Sequence, residues 1–313
     1  MAPGWIESAR PLPPEGAGLP MQQHPAYGAA SRALGAGALW FEWRDGGRVR
    51  GSAQVLSRRW PLVGRVALLS RGPAFAPDLA PERARAATAA LVETLARSHR
   101  GVMVTPEPVD GVDPLAGSGM LRMMTGSHVA RLSLEPDLDA LRAGLHQKWR
   151  NRLKRAEAAR LKITRGCLPD DPDHWLLRAE AAQARSRGYA RLPQAFSLAW
   201  TRQAETLLLT ASGRSGPVAG MLFLIHAPWA SYHVGWTSDS GRAANAHTLL
   251  MWRAIEILKS RKLTAVELGL LDTERTPDLA RFKLGTGAAS IALGASWLQA
   301  PGTGAVARIL RGA

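Results

Sequence analysis

Twice along this chain the hydrophobic pattern runs in one order: a meander of strands, a helix, then a further strand. In the first half Ala38 to Arg44 is apolar and aromatic, Asp45-Gly46-Gly47 is a turn, and Arg48 to Arg58 alternates as a strand does. Val63 to Ser70 follows and ends at Arg71-Gly72-Pro73. Pro81 to His99 opens on a proline and repeats Ala84, Ala87, Leu91 and Leu95 at helical spacing, with Gly101 to Thr105 as the strand after it. The second half offers strands at Thr206 to Ala211, Pro217 to His226 and Ser231 to Trp236, a helix at Ala246 to Ser260, a strand at Thr264 to Leu271 and a last one at Ala288 to Ala300. Two helices precede that second meander. Leu138 to Leu161 carries Leu138, Leu141, Leu145, Trp149 and Leu153 on one stripe, and Asp173 to Arg187 follows it.

This order predicts an α/β (α+β) protein of two subdomains in tandem, each a mixed, mostly antiparallel sheet flanked by helices. The expected bounds are an irregular lead-in over 1–37, rich in Pro, Gly and Ala, a first subdomain over 38–132 and a second over 133–313. The duplication rests on element order, since no residue-level repeat accompanies it.

A chain of 313 residues, 46% of them hydrophobic, can bury two cores. No apolar run reaches the ~18–20 residues that cross a bilayer. The N-terminus lacks the apolar stretch of a secretory signal, and the single cysteine, Cys167, excludes an internal disulfide and a cysteine-only zinc site. A cytoplasmic protein is expected. Forty Lys and Arg against 25 Asp and Glu leave a net charge of +15, which suits nucleic acid, phosphate-bearing molecules or an acidic membrane surface. The excess of arginine over lysine, with abundant Ala, Gly and Pro, is also what a GC-rich genome produces.

Three segments carry candidate chemistry. The first is Leu145 to Ala156, where Lys148, Arg152 and Arg155 share one helical face and Arg150 and Lys154 the next. Such a face holds phosphates or carboxylates, while Trp149 lies on the apolar stripe. The second runs from Gly235-Trp236-Thr237-Ser238-Asp239-Ser240-Gly241-Arg242 into the helix at Ala246. A strand end, a polar turn and a helix N-terminus there make a natural phosphate or oxyanion site. Coenzyme-A-dependent acetyltransferases place an Arg/Gln-x-x-Gly-x-Gly/Ala turn at such a point, but Arg242-Ala243-Ala244-Asn245-Ala246 has Asn in place of the central glycine. The third is Arg281-Phe282-Lys283-Leu284-Gly285-Thr286-Gly287, where a lysine beside a glycine-rich turn can stabilise an oxyanion or hold a phosphate. Asp239, Asp272 and Glu267 are candidate general bases. His226, His233 and His247 show no metal-ligand spacing, so no metal site is expected.

In order, Lys148-Trp149-Arg150-Asn151-x-Leu153-x-x-Ala156, Gly220 to Phe223, Ser238-Asp239-x-Gly241-Arg242, Leu249-Leu250-x-Trp252 and Arg281-Phe282-Lys283-x-Gly285-x-Gly287 resemble the FemAB/FemX family. These are the peptidoglycan interpeptide-bridge aminoacyltransferases and their relatives in the GNAT superfamily. The resemblance spans roughly 38 to 300 and takes in Gln54-Val55 and Arg71-Gly72-Pro73-Ala74-Phe75 of the first half. It implies two GNAT-like subdomains, no tightly bound cofactor, and an aminoacyl-tRNA donor whose group passes to a small-molecule or peptide amine. It further implies that Phe282 and Lys283 lie at the catalytic channel; the proton acceptor is Asp239, Asp272 or the substrate itself, and the sequence does not choose among them. Lys148, Trp149, Arg150, Arg152, Arg242 and Trp236 would then bind substrate, through an anionic acceptor or the tRNA end. The coiled-coil hairpin that some members insert for tRNA contact is missing. An acyl-CoA or acyl-carrier-protein donor is the alternative, and peripheral membrane contact is a further expectation from the charge.

An activated ester or thioester carries its own leaving group, so transfer to an amine requires no covalent enzyme intermediate. Alignment alone supplies ~7–11 kcal/mol of barrier lowering, and the remaining task is the oxyanion.

Overall fold

The computed structural model describes residues 3–9 and 13–312, and it separates them into two compact units. The parts of the expected lead-in at 1–2 and 10–12 lie outside the described residues. One unit comprises residues 1–127 and 292–313, the other 128–291.

In chain order the first unit begins with β1 (Gly4–Ser8), α1 (Pro25–Ala33), β2 (Gly37–Asp45), β3 (Arg48–Trp60), β4 (Gly64–Ser70) and β5 (Ala74–Phe75). Then come α2 (Pro81–Ala96), β6 (Gly101–Thr105) and β7 (Leu121–Met124). The second unit holds β8 (His128–Ser133), α3 (Leu138–Ala143), α4 (Gln147–Ala158), β9 (Lys162–Gly166), α5 (Trp175–Arg187) and α6 (Gln194–Thr201). It continues with β10 (Thr206–Gly213), β11 (Gly216–His226), β12 (Trp229–Thr237), α7 (Asp239–Ala243), α8 (Ala246–Ser260), β13 (Ala265–Leu271), α9 (Pro277–Leu284) and β14 (Ala289–Ala292). The chain then returns to the first unit through β15 (Ser296–Gln299) and α10 (Thr303–Gly312).

The first sheet runs β1-β2-β3-β4-β6-β15-β7 with β5 on β3, and the second β14-β8-β13-β12-β11-β10-β9. Both are mixed and contain a parallel pair, β4/β6 in the first and β12/β13 in the second. Their meanders, β2-β3-β4 and β10-β11-β12, are antiparallel, as the element order predicts. The first core gathers Phe41, Val55, Leu69, Leu91, Leu95, Val102 and Val104 between the sheet and α2. In the second unit the predicted stripe of Leu141, Leu145, Trp149 and Leu153 packs with Leu250, Met251 and Phe223, while Leu176, Leu177 and Leu198 meet Leu222 and Val234 in a separate cluster.

Four details differ from the sequence reading. Residues 4–8 and 25–33 of the lead-in form a strand and a helix, because β1 pairs along β2 and the Trp5 indole donates to Ala87 O. The long helix at 138 is two, broken at Gly144, after which His146 N bonds Gly285 O across the fold instead of continuing the ladder. The strand expected over 288–300 splits into β14 and β15, which join different sheets. Between them Gly294 lies so close to Pro106 that a Cβ would stand 2.8 Å from its ring and its carbonyl. The contact boundary accordingly falls at 127/128 and assigns 292–313 to the first unit. Among the described residues no helix is long and apolar enough to cross a membrane.

Candidate functional site

The two parallel pairs differ in one respect, and the candidate site lies in that difference. β4 and β6 stay in register over five residue pairs, from Val66↔Gly101 to Ser70↔Thr105. β12 and β13 pair over only three, ending at Ser231↔Glu267. Immediately past that point each strand carries a bulge against its outer neighbour. In β12 the register shifts between Leu222↔Val234 and Phe223↔Tyr232, and in β13 between Glu267↔Arg131 and Gly269↔Ala130. A bulge bends and twists its strand, so two in facing strands turn them apart. Gly269 has φ +84, a left-handed backbone that suits glycine.

Strands that part leave room for side-chain donors to reach their backbone carbonyls. Two side chains supply them. His247, in the first turn of α8, has Nε2 2.9 Å from Trp236 O of β12. Lys283, in the last turn of α9, donates from Nζ to Leu270 O of β13 at 2.7 Å, its amine 3.6 Å from where a Cβ on Gly269 would stand. The ring of Phe282 lies 6.2 Å from that of His247 and 6.0 Å from that of Trp149.

The glycine-rich turn holds this arrangement against α4. Trp149 Nε1 donates to Phe282 O at 3.1 Å, and Thr286 Oγ1 donates to Lys283 O at 2.6 Å. A Cβ on Gly285 would stand 2.6 Å from Trp149 Cδ1, so only glycine lets the turn seat on the indole.

Lys283 is only 6% exposed, and among the described residues no carboxylate pairs with it. Burial lowers its pKa from 10.5 to about 8. Burial likewise lowers His247 to about 4, leaving it neutral near pH 7. The split between β12 and β13 thus holds one desolvated cation without a carboxylate partner, beside a neutral imidazole and an aromatic ring.

The three candidate bases are all engaged. Glu267 is buried and ion-paired with Arg131, Nη2–Oε1 2.9 Å. Asp272 Oδ1 accepts from Arg275 N at 2.8 Å and Glu274 N at 3.2 Å, closing the turn after β13. Asp239 is fully solvated at the start of α7 and pairs with Arg242. Arg242 also donates to Thr237 O at 2.9 Å, and Ser238 caps α7 by accepting from Gly241 N. The turn that could cradle a pyrophosphate is therefore occupied by a short helix, with Asn245 at φ 52 leading into α8.

The structure thus brings Lys283, Phe282 and Trp149 together, and adds Trp236 through its carbonyl. The Trp236 ring packs edge-on against Trp175 of α5 at 5.8 Å. Trp149 is 3% exposed, so it positions the Phe-Lys segment and offers no surface to a substrate. Lys148 and Arg152 are exposed on α4, and Arg150 is half-buried with Nη1 on Ala143 O at 3.0 Å. Sequence reasoning missed the roles of His247, Gly269 and Leu270, which depend on two bulges that no local pattern marks. The three histidines do not converge: His226 meets Ser231 Oγ, His233 meets Ser197 Oγ, and His247 meets Trp236 O. No metal-binding group of three or more His, Cys, Asp or Glu occurs among the described residues.

No family model matches the sequence, and no curated protein matches it. Two mixed sheets in tandem, one of them split at its parallel pair, make up a fold of the GNAT type. Within that type the fold is FemX-like. The chain is similar to FemX at 12% identity, with 89% of this chain and 92% of that one covered and a TM-score of 0.71. It is also similar to the C-terminal domain (DUF2156) of a protein assigned as a lysylphosphatidylglycerol synthetase from Agrobacterium fabrum, at 13% identity, coverage of 93% and 92%, and a TM-score of 0.56. A tandem GNAT protein from the clavulanic acid biosynthesis pathway matches at 15% identity, coverage of 84% and 83%, and a TM-score of 0.50.

Proposed function

We propose that the protein is a transferase that moves an aminoacyl group from aminoacyl-tRNA onto an amine, forming an amide. The observation that carries this is Lys283: a buried ammonium without a carboxylate partner, held at the mouth of a split parallel pair. A cation in that setting is strongly attracted to any negative charge that develops beside it, because desolvation removes the screening that water provides. Attack of the acceptor nitrogen on the donor carbonyl forms the C–N bond and puts charge on the carbonyl oxygen, where Lys283 stabilises it. Collapse breaks the ester C–O bond. With Asp239, Asp272 and Glu267 engaged, the proton from nitrogen passes to the departing ribose oxygen. Phe282 and Trp149 hold the lysine in place, and the exposed Lys148 and Arg152 of α4 supply phosphate contacts for the tRNA.

An acyl-CoA donor is the second reading. It rests on α8, whose N-terminus at Asn245 has no side-chain cap and carries His247 of the site in its first turn.

The test is donor consumption. Purified protein is given a pool of charged tRNAs, and separately a panel of acyl-CoAs, each with an extract of small amines and peptidoglycan precursors, alongside Lys283→Ala. Lys283-dependent loss of one aminoacyl-tRNA supports the first reading. Consumption of a thioester alone supports the second, and turnover of neither donor refutes both.

A further inference from the structure

The hairpin joining β3 to β4 violates three folding preferences within eight residues, Arg58-Arg59-Trp60-Pro61-Leu62-Val63-Gly64-Arg65. Leu62 has φ +66 and is fully solvent-exposed at 103%. Leucine is disfavoured at such a positive φ, which here closes a γ-turn with Val63 N donating to Pro61 O at 2.7 Å. Water is also a poor medium for its side chain. Trp60 and Val63 flank it at 51% and 53% exposure. Arg59 stands directly opposite Arg65 in the antiparallel ladder, a like-charge pair that weakens a hairpin.

The charged side chains of the tip itself are all cationic. Arg58, Arg59, Arg65 and Arg100 are all exposed, and among the described residues none has a carboxylate partner. Arg100 belongs to this tip: its backbone N donates to Arg65 O at 2.8 Å, and its side chain lies 3.6 Å from where a Cβ on Gly64 would stand. The Arg58 guanidinium lies over the Trp60 ring at 5.9 Å.

We propose that this hairpin docks on an anionic lipid bilayer, with Trp60, Leu62 and Val63 seated at headgroup depth and the four arginines on lipid phosphates. Each local fault is relieved by that one partner. An anionic surface screens Arg59 from Arg65, and the acyl boundary accepts the aliphatic side chains. Tryptophan favours the interface because its ring is apolar and its N–H is polar. A nucleic acid would answer the arginines but not Leu62 and Val63. A protein groove would answer the apolar residues without requiring so many unpaired cations.

The experiment is co-sedimentation of the full chain with phosphatidylcholine vesicles, with and without phosphatidylglycerol at about a third of the lipid. Binding is expected only with the anionic lipid. Arg59→Gln should lower the partition coefficient about fivefold, and Leu62→Asn about tenfold. The Leu62 side chain is fully exposed, so Leu62→Asn should melt no lower than wild type, and a loss of binding would not reflect unfolding. Equal binding to both vesicle types would overturn the proposal, as would variants that bind like wild type. A Leu62-dependent dimer, or Leu62-dependent RNA retention without vesicle binding, would also overturn it and reassign the tip to that partner.

Discussion

Replacing Lys283 by methionine separates a catalytic cation from a structural one, because the two roles predict opposite effects on stability. The ammonium is buried without a counter-charge, and its pKa falls from 10.5 to about 8. The unfolded chain therefore binds this proton more tightly than the folded one. Stability attributable to Lys283 is lowest below pH ~8, rises with pH between about 8 and 10.5, and is flat above that. At neutral pH the penalty is about 3 kcal/mol. Lys283→Met removes it, at the cost of one part-buried hydrogen bond to Leu270 O, about 1 kcal/mol. The variant should thus be as stable as wild type at pH 7 or more so, by up to about 2 kcal/mol. Its advantage should shrink as the pH is raised toward 10. Activity should move the other way, falling ~10²–10³-fold in kcat, as when one oxyanion donor is removed. Lys283→Arg keeps a cation that cannot be deprotonated in this range. It should retain part of the activity and lack the alkaline limb near pH 8 expected of wild type. Amide formation followed across pH, with thermal melts on the same samples, reads all of this. A Lys283→Met enzyme within about threefold of wild-type kcat would refute the catalytic role. A limb near pH 8 that persists in Lys283→Arg would refute its assignment to this group.

Three further outcomes follow from the geometry. Gly285→Ala drives a Cβ to 2.6 Å from Trp149 Cδ1, and should cost about 1–3 kcal/mol in a denaturant melt while lowering kcat, because the Phe-Lys turn is displaced. Asp239→Asn should leave turnover within about threefold of wild type, since the carboxylate is solvated and paired only with Arg242; a far larger loss would restore it as a base. Lys148→Ala with Arg152→Ala should leave the melting temperature unchanged, and should reduce the slope of log affinity for tRNA against log salt by about 1 per residue, measured by filter retention.

Much of the fold was legible because the strands and helices bury one face each. Val102 and Val104 alternate in β6, and Leu141, Leu145, Trp149 and Leu153 line one stripe, patterns that any chain must show if it is to cover a sheet. The Phe-Lys-x-Gly-x-Gly segment was legible too, since glycines at 285 and 287 are required where the turn approaches Trp149 and takes φ +88. The stripe concealed the break at Gly144, however. A periodic apolar pattern continues through a kink as long as both pieces pack on the same core.

By itself the sequence determined the architecture, the two meanders and the candidacy of Lys283, because hydrophobic period and turn chemistry are local properties. Tertiary structure alone decided in which half the parallel pair splits and which groups surround the lysine. β12 and β13 part because bulges at His233 and Leu268 bend each strand against a different neighbour, β11 on one side and β8 on the other. Glu267, a candidate base in the sequence, is neutralised by Arg131, which lies 136 residues away along the chain and opposite it across the ladder. Pairings of that span are set by sheet order, and sheet order exists only once the whole unit has folded.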